Sequence, residues 1–422
     1  MNRRPPEAPV PRKRPRPENR YRSEGDSRRS NGHTYATAAA QERAFLVGLE
    51  HSASRAESRM SPRESLRELA RLVRTAGATV VGQTRQRRKH PDPATYIGSG
   101  KLEEVRAART ETDYSMVVFD EQLSPAQQLR LESALEVKVL DRSALILDIF
   151  AGRARSHEAA LQVELAQHEY LLPRLRGQWQ HLERLEGAIG ARGPGETQLE
   201  TDRRLIGARI SRLKRQIEGV RKQRSLHRRQ RERTGVPIVA LVGYTNAGKS
   251  SLMRVLAGAD AFVADALFAT LDPLTRRINA GSEAFLLTDT VGFIQKLPAQ
   301  LASAFRATLE ELETADLLLH AVDITSEAVD AQAETVLEAL EELGVSHLPV
   351  LTVFNKADGL TLPDGSAPTC EADLASVDVS GVAGAGAGDT MLVSALRGWG
   401  IGALRDRLAL EVLGEPAFAV HD

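Results

Sequence analysis

The chain has 422 residues, enough for two or three domains that each bury a core of their own. Its 56 basic and 56 acidic residues cancel, yet residues 1–235 hold 46 Lys and Arg against 30 Asp and Glu, whereas residues 236–422 hold 10 against 26. A single cysteine, Cys370, excludes an internal disulfide and a cysteine-built zinc cage, and no apolar run approaches the roughly 18 residues that span a bilayer.

Stable membrane insertion is therefore not expected. The basic N-terminus has no apolar segment behind it and does not read as a secretory signal, so cytoplasm is the expected compartment, with a peripheral membrane-associated fraction left open. The charge split predicts a basic module that meets a polyanion, joined to an acidic module with separate work.

Residues 1–42 are rich in Arg, Pro, Ser and Asn and read as a disordered basic arm, either a nucleic-acid grip or a solubilising tail. Short apolar runs then alternate with helical periodicity. Strands are expected at 45–49, 78–81, 116–119 and 137–140, with helices at 65–73, 101–108 and 125–135. That alternation predicts a small parallel α/β domain over 43–153. Its Gly98-Ser-Gly-Lys101 turn reads either as an anion site or as a plain helix N-cap.

Residues 154–186 and 197–233 run helical around Gly187-Ala-Ile-Gly-Ala-Arg-Gly-Pro-Gly195, which predicts a helical hairpin over 154–235 with a glycine-rich tip. Over residues 201–235 there are 13 Lys and Arg against 3 Asp and Glu, a density that favours phosphate-backbone contact over a merely solvated face. Aromatic residues make up only 4% of the chain, so structured RNA read by shape suits it better than stacked single strands. The RNA-contact candidates are Arg192, Gly193, Pro194, Gly195, Arg203, Arg204, Arg212 and Arg215. The tip itself reads either as an element that enters a crevice or as only a turn.

A second α/β module is expected over 236–414, a doubly wound parallel sheet with strands at 236–242, 285–288, 317–324, 350–354 and 390–394, followed by a tail over 415–422. Behind its first strand stands Gly243-Tyr244-Thr245-Asn246-Ala247-Gly248-Lys249-Ser250, and Ser251 opens a helix. This spacing turns backbone N–H groups inward around phosphates, brings Lys249 to the β- and γ-phosphates and gives Ser250 to a magnesium ion.

Asp289-Thr290-Val291-Gly292 follows a strand, where Asp289 serves the magnesium shell and the Gly292 N–H senses the γ-phosphate. In Phe268-Ala269-Thr270-Leu271-Asp272, Thr270 is the candidate to complete that shell, with Thr275 as a competitor. Asn355-Lys356-Ala357-Asp358 follows another strand. The Asp358 carboxylate accepts two hydrogen bonds from guanine that adenine cannot offer, which selects GTP. Ser394-Ala395-Leu396 supplies a backbone contact to the base. The hydrolytic step falls to Lys249, Thr270, Gly292 and Phe293. Phe293 stands where many relatives of this fold carry a water-orienting glutamine, so slow hydrolysis is expected of the protein alone.

With these residues in place the chain resembles the HflX family of ribosome-associated translational GTPases over about residues 43–414. The most specific likeness lies in Arg192-Gly-Pro-Gly-Glu-Thr-Gln-Leu-Glu-Thr-Asp-Arg-Arg204, Phe268-Ala-Thr-Leu-Asp-Pro273 and Asp289-Thr-Val-Gly-Phe-Ile294. The resemblance implies an N-terminal domain peculiar to the family, a helical hairpin whose glycine-rich loop maps onto Gly187–Gly195, and a Ras-like GTPase domain. It further implies binding to the large ribosomal subunit and its RNA near the catalytic centre, and dissociation of stalled or idle ribosomes under stress. Because Phe293 cannot orient a water, the ribosome is the candidate activator of turnover. A monomer that cycles between GTP and GDP is expected. The rival classes are a membrane-tethered GTPase switch and a passive RNA-binding protein. Gly381 to Gly388 forms an unusual Gly/Ala insertion ahead of Ser394.

Overall fold

The computed structural model describes residues 41–50, 60–175, 194–232, 235–258, 267–268, 270–281, 283–298, 301, 312–379, 381–383 and 390–414, with residues 194–199 and 224–232 described by backbone alone. Most of the tip, Gly187 to Gly193, and the arm 1–40 lie outside them.

The first half of the chain builds a parallel sheet from β1 (Arg43–Glu50), β2 (Thr79–Arg87), β3 (Met116–Phe119) and β4 (Lys138–Asp141), in the order β2-β1-β3-β4. Between the strands run α1 (Pro62–Thr75), α2 (Ser99–Thr112) and α3 (Pro125–Leu135). Helix starts follow from local chemistry. Ser61 and Glu64 form a capping box with Pro62 in the first turn, and Ser124 with Gln127 repeats the device ahead of Pro125. At the Gly98 turn the Gly98 N–H is taken by Gln86 Oε1 at 2.8 Å, and Lys101 pairs with Glu104.

Helix α4 (Arg142–Arg153) was not among the expected elements. Its run Ala144-Leu-Ile-Leu-Asp-Ile-Phe150 is apolar but for the exposed Asp148, because the helix is buried on several sides, and such a run has little period to read. The expected single helix from 154 also begins later. Residues 154–156 are non-helical, and α5 (His157–Leu171) starts from the N-cap Ser156.

Helix α6 (Pro194–Glu232) is 39 residues long and lies against α5. Leu161 and Leu165 pack with Leu213, backed by Ile210, Ile217 and Val220, while Arg204, Arg212 and Arg215 on other faces are exposed. Glu164–Arg209 and Glu169–Lys214 ion pairs join the two helices at 2.6 and 2.8 Å.

The second half builds a six-stranded sheet in the order β10-β9-β8-β5-β7-β6. Its strands are β5 (Ile238–Gly243), β6 (Leu274–Ala280), β7 (Glu283–Asp289), β8 (Leu317–Asp323), β9 (Val350–Asn355) and β10 (Thr390–Leu392), with α7 (Lys249–Ala257), α8 (Val329–Glu342) and α9 (Ile401–Leu413). Edge strand β6, absent from the sequence expectation, runs antiparallel to β7, so the sheet is mixed at that edge. Its adjacent Arg276 and Arg277 break the alternation that marks a half-buried strand.

One apolar cluster crosses from the first sheet to the second. It joins Leu69 and Leu72 of α1 and Phe150 of α4 to Phe268, Leu271, Val291 and Ile294 beside the nucleotide loops. Among the described residues no helix is long and apolar enough to cross a membrane.

Candidate active site

The loops behind β5, β7, β9 and β10 converge at one end of the second sheet. Gly243 ends β5, and α7 starts at Lys249 after the N-cap Gly248, whose φ is +90°. A side chain at Gly248 would meet Asn355 Nδ2 at 2.2 Å, so backbone shape and close approach both require glycine. Asn246 also adopts the left-handed region, with φ +65°. Asn355 Nδ2 donates to the Ala247 carbonyl at 2.9 Å, fastening the phosphate loop to the base-recognition loop.

Lys249 is buried and donates to the carbonyls of Gly243 and Tyr244 at 2.9 and 2.8 Å. Burial pulls its amine down to about 8, against the pull of the nearby Asp289 carboxylate. The Asp289 carboxyl is pushed up by burial, opposed by Lys249, Ser250 and Thr270.

Ser250, Thr270 and Asp289 form a triangle. Ser250 Oγ lies 2.7 Å from Thr270 Oγ1, and each hydroxyl lies 2.8 Å from Asp289 Oδ2. The other carboxylate oxygen, Oδ1, is buried with no hydrogen-bond partner. Two hydroxyls and a carboxylate make an oxygen-only donor set suited to a hard divalent cation, and an unsatisfied buried oxygen favours one. Thr275 lies instead in β6, with its hydroxyl 3.0 Å from that of Thr288 across the ladder.

The phosphate loop is stitched to the segment after β7. Thr245 N–H donates to the Phe293 carbonyl at 2.7 Å, and Phe293 N–H donates to the Gly243 carbonyl at 3.1 Å. A Cβ at Gly292 would stand 2.9 Å from Lys249 Nζ and from the Thr245 Cα, so only glycine lets this crossing close. Thr290 anchors the segment by donating to the Leu241 carbonyl at 2.6 Å, and Val291 is buried beneath it. The Phe293 ring packs on the shared core.

At the base end, Ser394 Oγ donates to Asp358 Oδ1 at 2.5 Å and the Ala395 N–H donates to Asn355 Oδ1 at 3.0 Å. Lys356, at φ +66°, reaches Asp323 at 2.7 Å, and the buried Ala357 donates its N–H to Val393. Leu396 stands exposed at the rim, and Ser251 lies in the first turn of α7.

Phe268 is buried and packs edge-on against Phe150, with ring centroids 4.5 Å apart. Leu271 is buried too, and the Asp272 carboxylate bonds to Arg155 and Ser156 rather than to the phosphate loop. Ala269 lies outside the described residues. Of the RNA-contact candidates, Arg204, Arg212 and Arg215 are exposed on α6, Arg203 is half-buried, Pro194 and Gly195 begin that helix, and Arg192 and Gly193 lie outside the described residues.

A supporting network runs beneath the phosphate loop that no sequence signal announces. Tyr244 Oη donates to Glu68 Oε1 of α1 at 2.6 Å and accepts the Gln295 N–H at 3.0 Å. Glu68 pairs with the buried Arg142, which also holds Asp120 at 2.8 Å, and Lys296 joins Asp120 and Glu121 at 2.8 and 2.7 Å. Burial pushes the Tyr244 phenol up to about 12 and the Arg142 guanidinium down to about 10.

A phosphate loop, an Asp-x-x-Gly segment and an Asn-Lys-x-Asp loop on the strand ends of a mostly parallel sheet define a P-loop GTPase. Residues 63–151 match the family described as GTP-binding GTPase N-terminal, residues 153–231 the GTP-binding GTPase middle region, and residues 238–356 the 50S ribosome-binding GTPase family. GTPase HflX of Caldanaerobacter subterraneus subsp. tengcongensis is 49% identical over 329 residues, covering 77% of this chain and 75% of that protein. GTPase HflX of Escherichia coli K12 is 49% identical over 298 residues, covering 70% of each. Among solved structures, a GTP-binding protein from Sulfolobus solfataricus in complex with GDP aligns over 89% of this chain and 99% of its own, at 26% identity and a TM-score of 0.46. The chain belongs to the HflX family of GTPases and hydrolyses GTP to GDP and phosphate.

Proposed function

We propose that the protein is a GTP-driven factor that binds the large ribosomal subunit and separates stalled or idle ribosomes under stress. The observation that carries this reading is α6, a long helix seated by its apolar residues on α5 with Arg204, Arg212 and Arg215 turned to solvent. A cationic beam of that kind suits a phosphate backbone, and the 50S ribosome-binding description of the family matched over residues 238–356 points the same way. In this reading residues 43–153 brace the nucleotide loops, residues 154–235 meet ribosomal RNA and residues 236–414 turn over GTP. The working form is a cytoplasmic monomer.

In the proposed mechanism Lys249 leaves the Gly243 and Tyr244 carbonyls for the β- and γ-phosphates, and the backbone N–H groups of Asn246 and of residues 248–250 take the phosphate oxygens. Ser250, Thr270 and Asp289 are the residues that would hold magnesium, which when bound neutralises charge developing between the β- and γ-phosphates. Gly292 offers its N–H to the γ-phosphate, and Asp358 with the Ala395 backbone reads the guanine. Phe293 cannot orient a water, so the missing group comes from a reordered loop or from the bound partner.

Sucrose-gradient sedimentation with purified 50S and 70S particles, under GDP or a non-hydrolysable GTP analogue, tests the reading. Co-migration with 50S and loss of the 70S peak under the analogue are expected, together with at least about tenfold faster turnover on adding 50S, roughly 1.4 kcal/mol of barrier. A protein that sediments with anionic liposomes and ignores both particles would return the membrane-switch reading.

A further inference from the structure

We propose that Asp272 is the joint through which the state of the nucleotide site sets the orientation of the arm formed by α5 and α6. The segment from Leu267 to Asp272 meets the metal-binding triangle through the Thr270 hydroxyl. Among the described residues its other hydrogen bonds and its ring contact reach the first half of the chain. The Leu267 N–H donates to Thr75 Oγ1 at 3.3 Å, Phe268 packs on Phe150, and the Asp272 carboxylate accepts the N–H groups of Arg155 and Ser156 at 3.0 and 2.9 Å and the Ser156 hydroxyl. Ser156 is the N-cap of α5 and accepts the Ala159 N–H at 3.0 Å. The first turn of α5 therefore hangs on a carboxylate two residues away from Thr270.

The far end of α5 is fixed separately. Tyr170 Oη donates to the buried Asp141 at 2.9 Å, and Arg174, just beyond the helix, reaches Asp141 at 3.1 Å and the Leu123 carbonyl at 2.8 Å. Between the two ends Val163 and Ala166 pack in the shared core. With the Asp272 end released, the first turn of α5 shifts while that packing and the Asp141 end hold, and α6 follows because Leu161, Leu165 and Leu213 and the two ion pairs bind it to α5.

The trigger is local. In the triangle two hydroxyl hydrogens serve three short contacts, one between Ser250 and Thr270 and one from each to Asp289, and a cation that takes both hydroxyl oxygens as ligands ends the contact between the two hydroxyls, in which one oxygen has to accept. Thr270 must then shift, and a packed segment answers such a shift by changing between discrete arrangements rather than by stretching.

The inference rests on the nucleotide-site reading but needs no ribosome. Hydrogen–deuterium exchange at amides 156–160 is measured on the full chain without nucleotide, with Mg-GDP and with a magnesium complex of a non-hydrolysable GTP analogue, after saturation followed with a fluorescent GTP derivative. In the natural sequence the exchange rates are expected to differ at least threefold between states. In Asp272→Asn exchange should rise in every state and the difference between states should vanish, while GTP affinity stays within about twofold. A helix that is merely capped by Asp272 would exchange faster in the variant yet show no nucleotide dependence in the natural sequence. A saturated natural protein indifferent to nucleotide, or a variant that keeps the full difference, overturns the joint. A chain that binds no GTP derivative overturns the site reading along with it, whereas failure to sediment with 50S touches only the ribosome reading.

Discussion

Asp358 is positioned by Ser394, whose hydroxyl occupies one of its oxygens, and by the neighbouring Asn355, which ties the same loop to the phosphate loop. A carboxylate so placed discriminates because its loss of partners is costly in a partly buried site. Asp358→Asn is expected to weaken GTP binding by at least about tenfold, the loss of roughly 1.4 kcal/mol, and to raise relative affinity for xanthosine triphosphate, as read by competition against a fluorescent GTP derivative. His320 on β8 makes a second residue-level case. It is 1% exposed, and neither ring nitrogen has a hydrogen-bond partner. Burial, with a smaller contribution from the Lys249 charge, pulls it down to about 4 from 6.5. The unfolded chain therefore binds a proton below 6.5 that the folded chain refuses until about 4, and stability falls as pH drops through that window. His320→Leu is expected to lose less stability than the natural sequence between pH 6.5 and 5, by about 1.5 kcal/mol in urea unfolding. The phosphate-loop and guanine motifs were readable in the sequence because each is contiguous and its spacing is set by backbone geometry. The Tyr244 contact with Glu68 was not readable, since the partners lie 176 positions apart and neither residue type announces the other.

Elements with a clean period and a cap were equally readable, as at Pro62–Thr75, whose Ser61-Pro62 start and amphipathic pattern need no tertiary help. Helix α4 and strand β6 lacked such signals, one because it is buried on several sides and the other because an edge strand tolerates adjacent arginines. What α1 does could not be read locally at all. It looks like an ordinary amphipathic helix, yet Ser65 and Glu68 face Asp120 and Arg142 in a buried network that Lys296 enters at φ +55°. Removing one member strands the others away from water. Arg142→Met should therefore cost about 3–5 kcal/mol of stability in denaturant unfolding. Loss of the Glu68 partner also frees the acceptor of Tyr244, so GTP affinity is expected to fall in the same variant.

Across the whole molecule, charge is sorted along the chain, with cations gathered in the first half and anions in the second. On α6 the exposed arginines face solvent while Arg209 and Lys214 are spent on α5. Replacing Arg203, Arg204, Arg212 and Arg215 by glutamine in the full chain should flatten the dependence of log affinity for 50S on log salt by about 3, if most of them each meet one phosphate. An unchanged slope would move the contact elsewhere. GTP affinity measured alongside should not move.

Helix α6 also has a mechanical consequence. From Leu213, where it is gripped, to Pro194 at its start runs about 28 Å of helix, at about 1.5 Å per residue. Leu213 is also the midpoint of the helix, so α6 is a beam with two arms of equal length, and each degree of rotation about that grip carries the Pro194 end about 0.5 Å. Equal arms trade no force for travel, so a turn imposed at the grip moves both ends of the beam through the same arc.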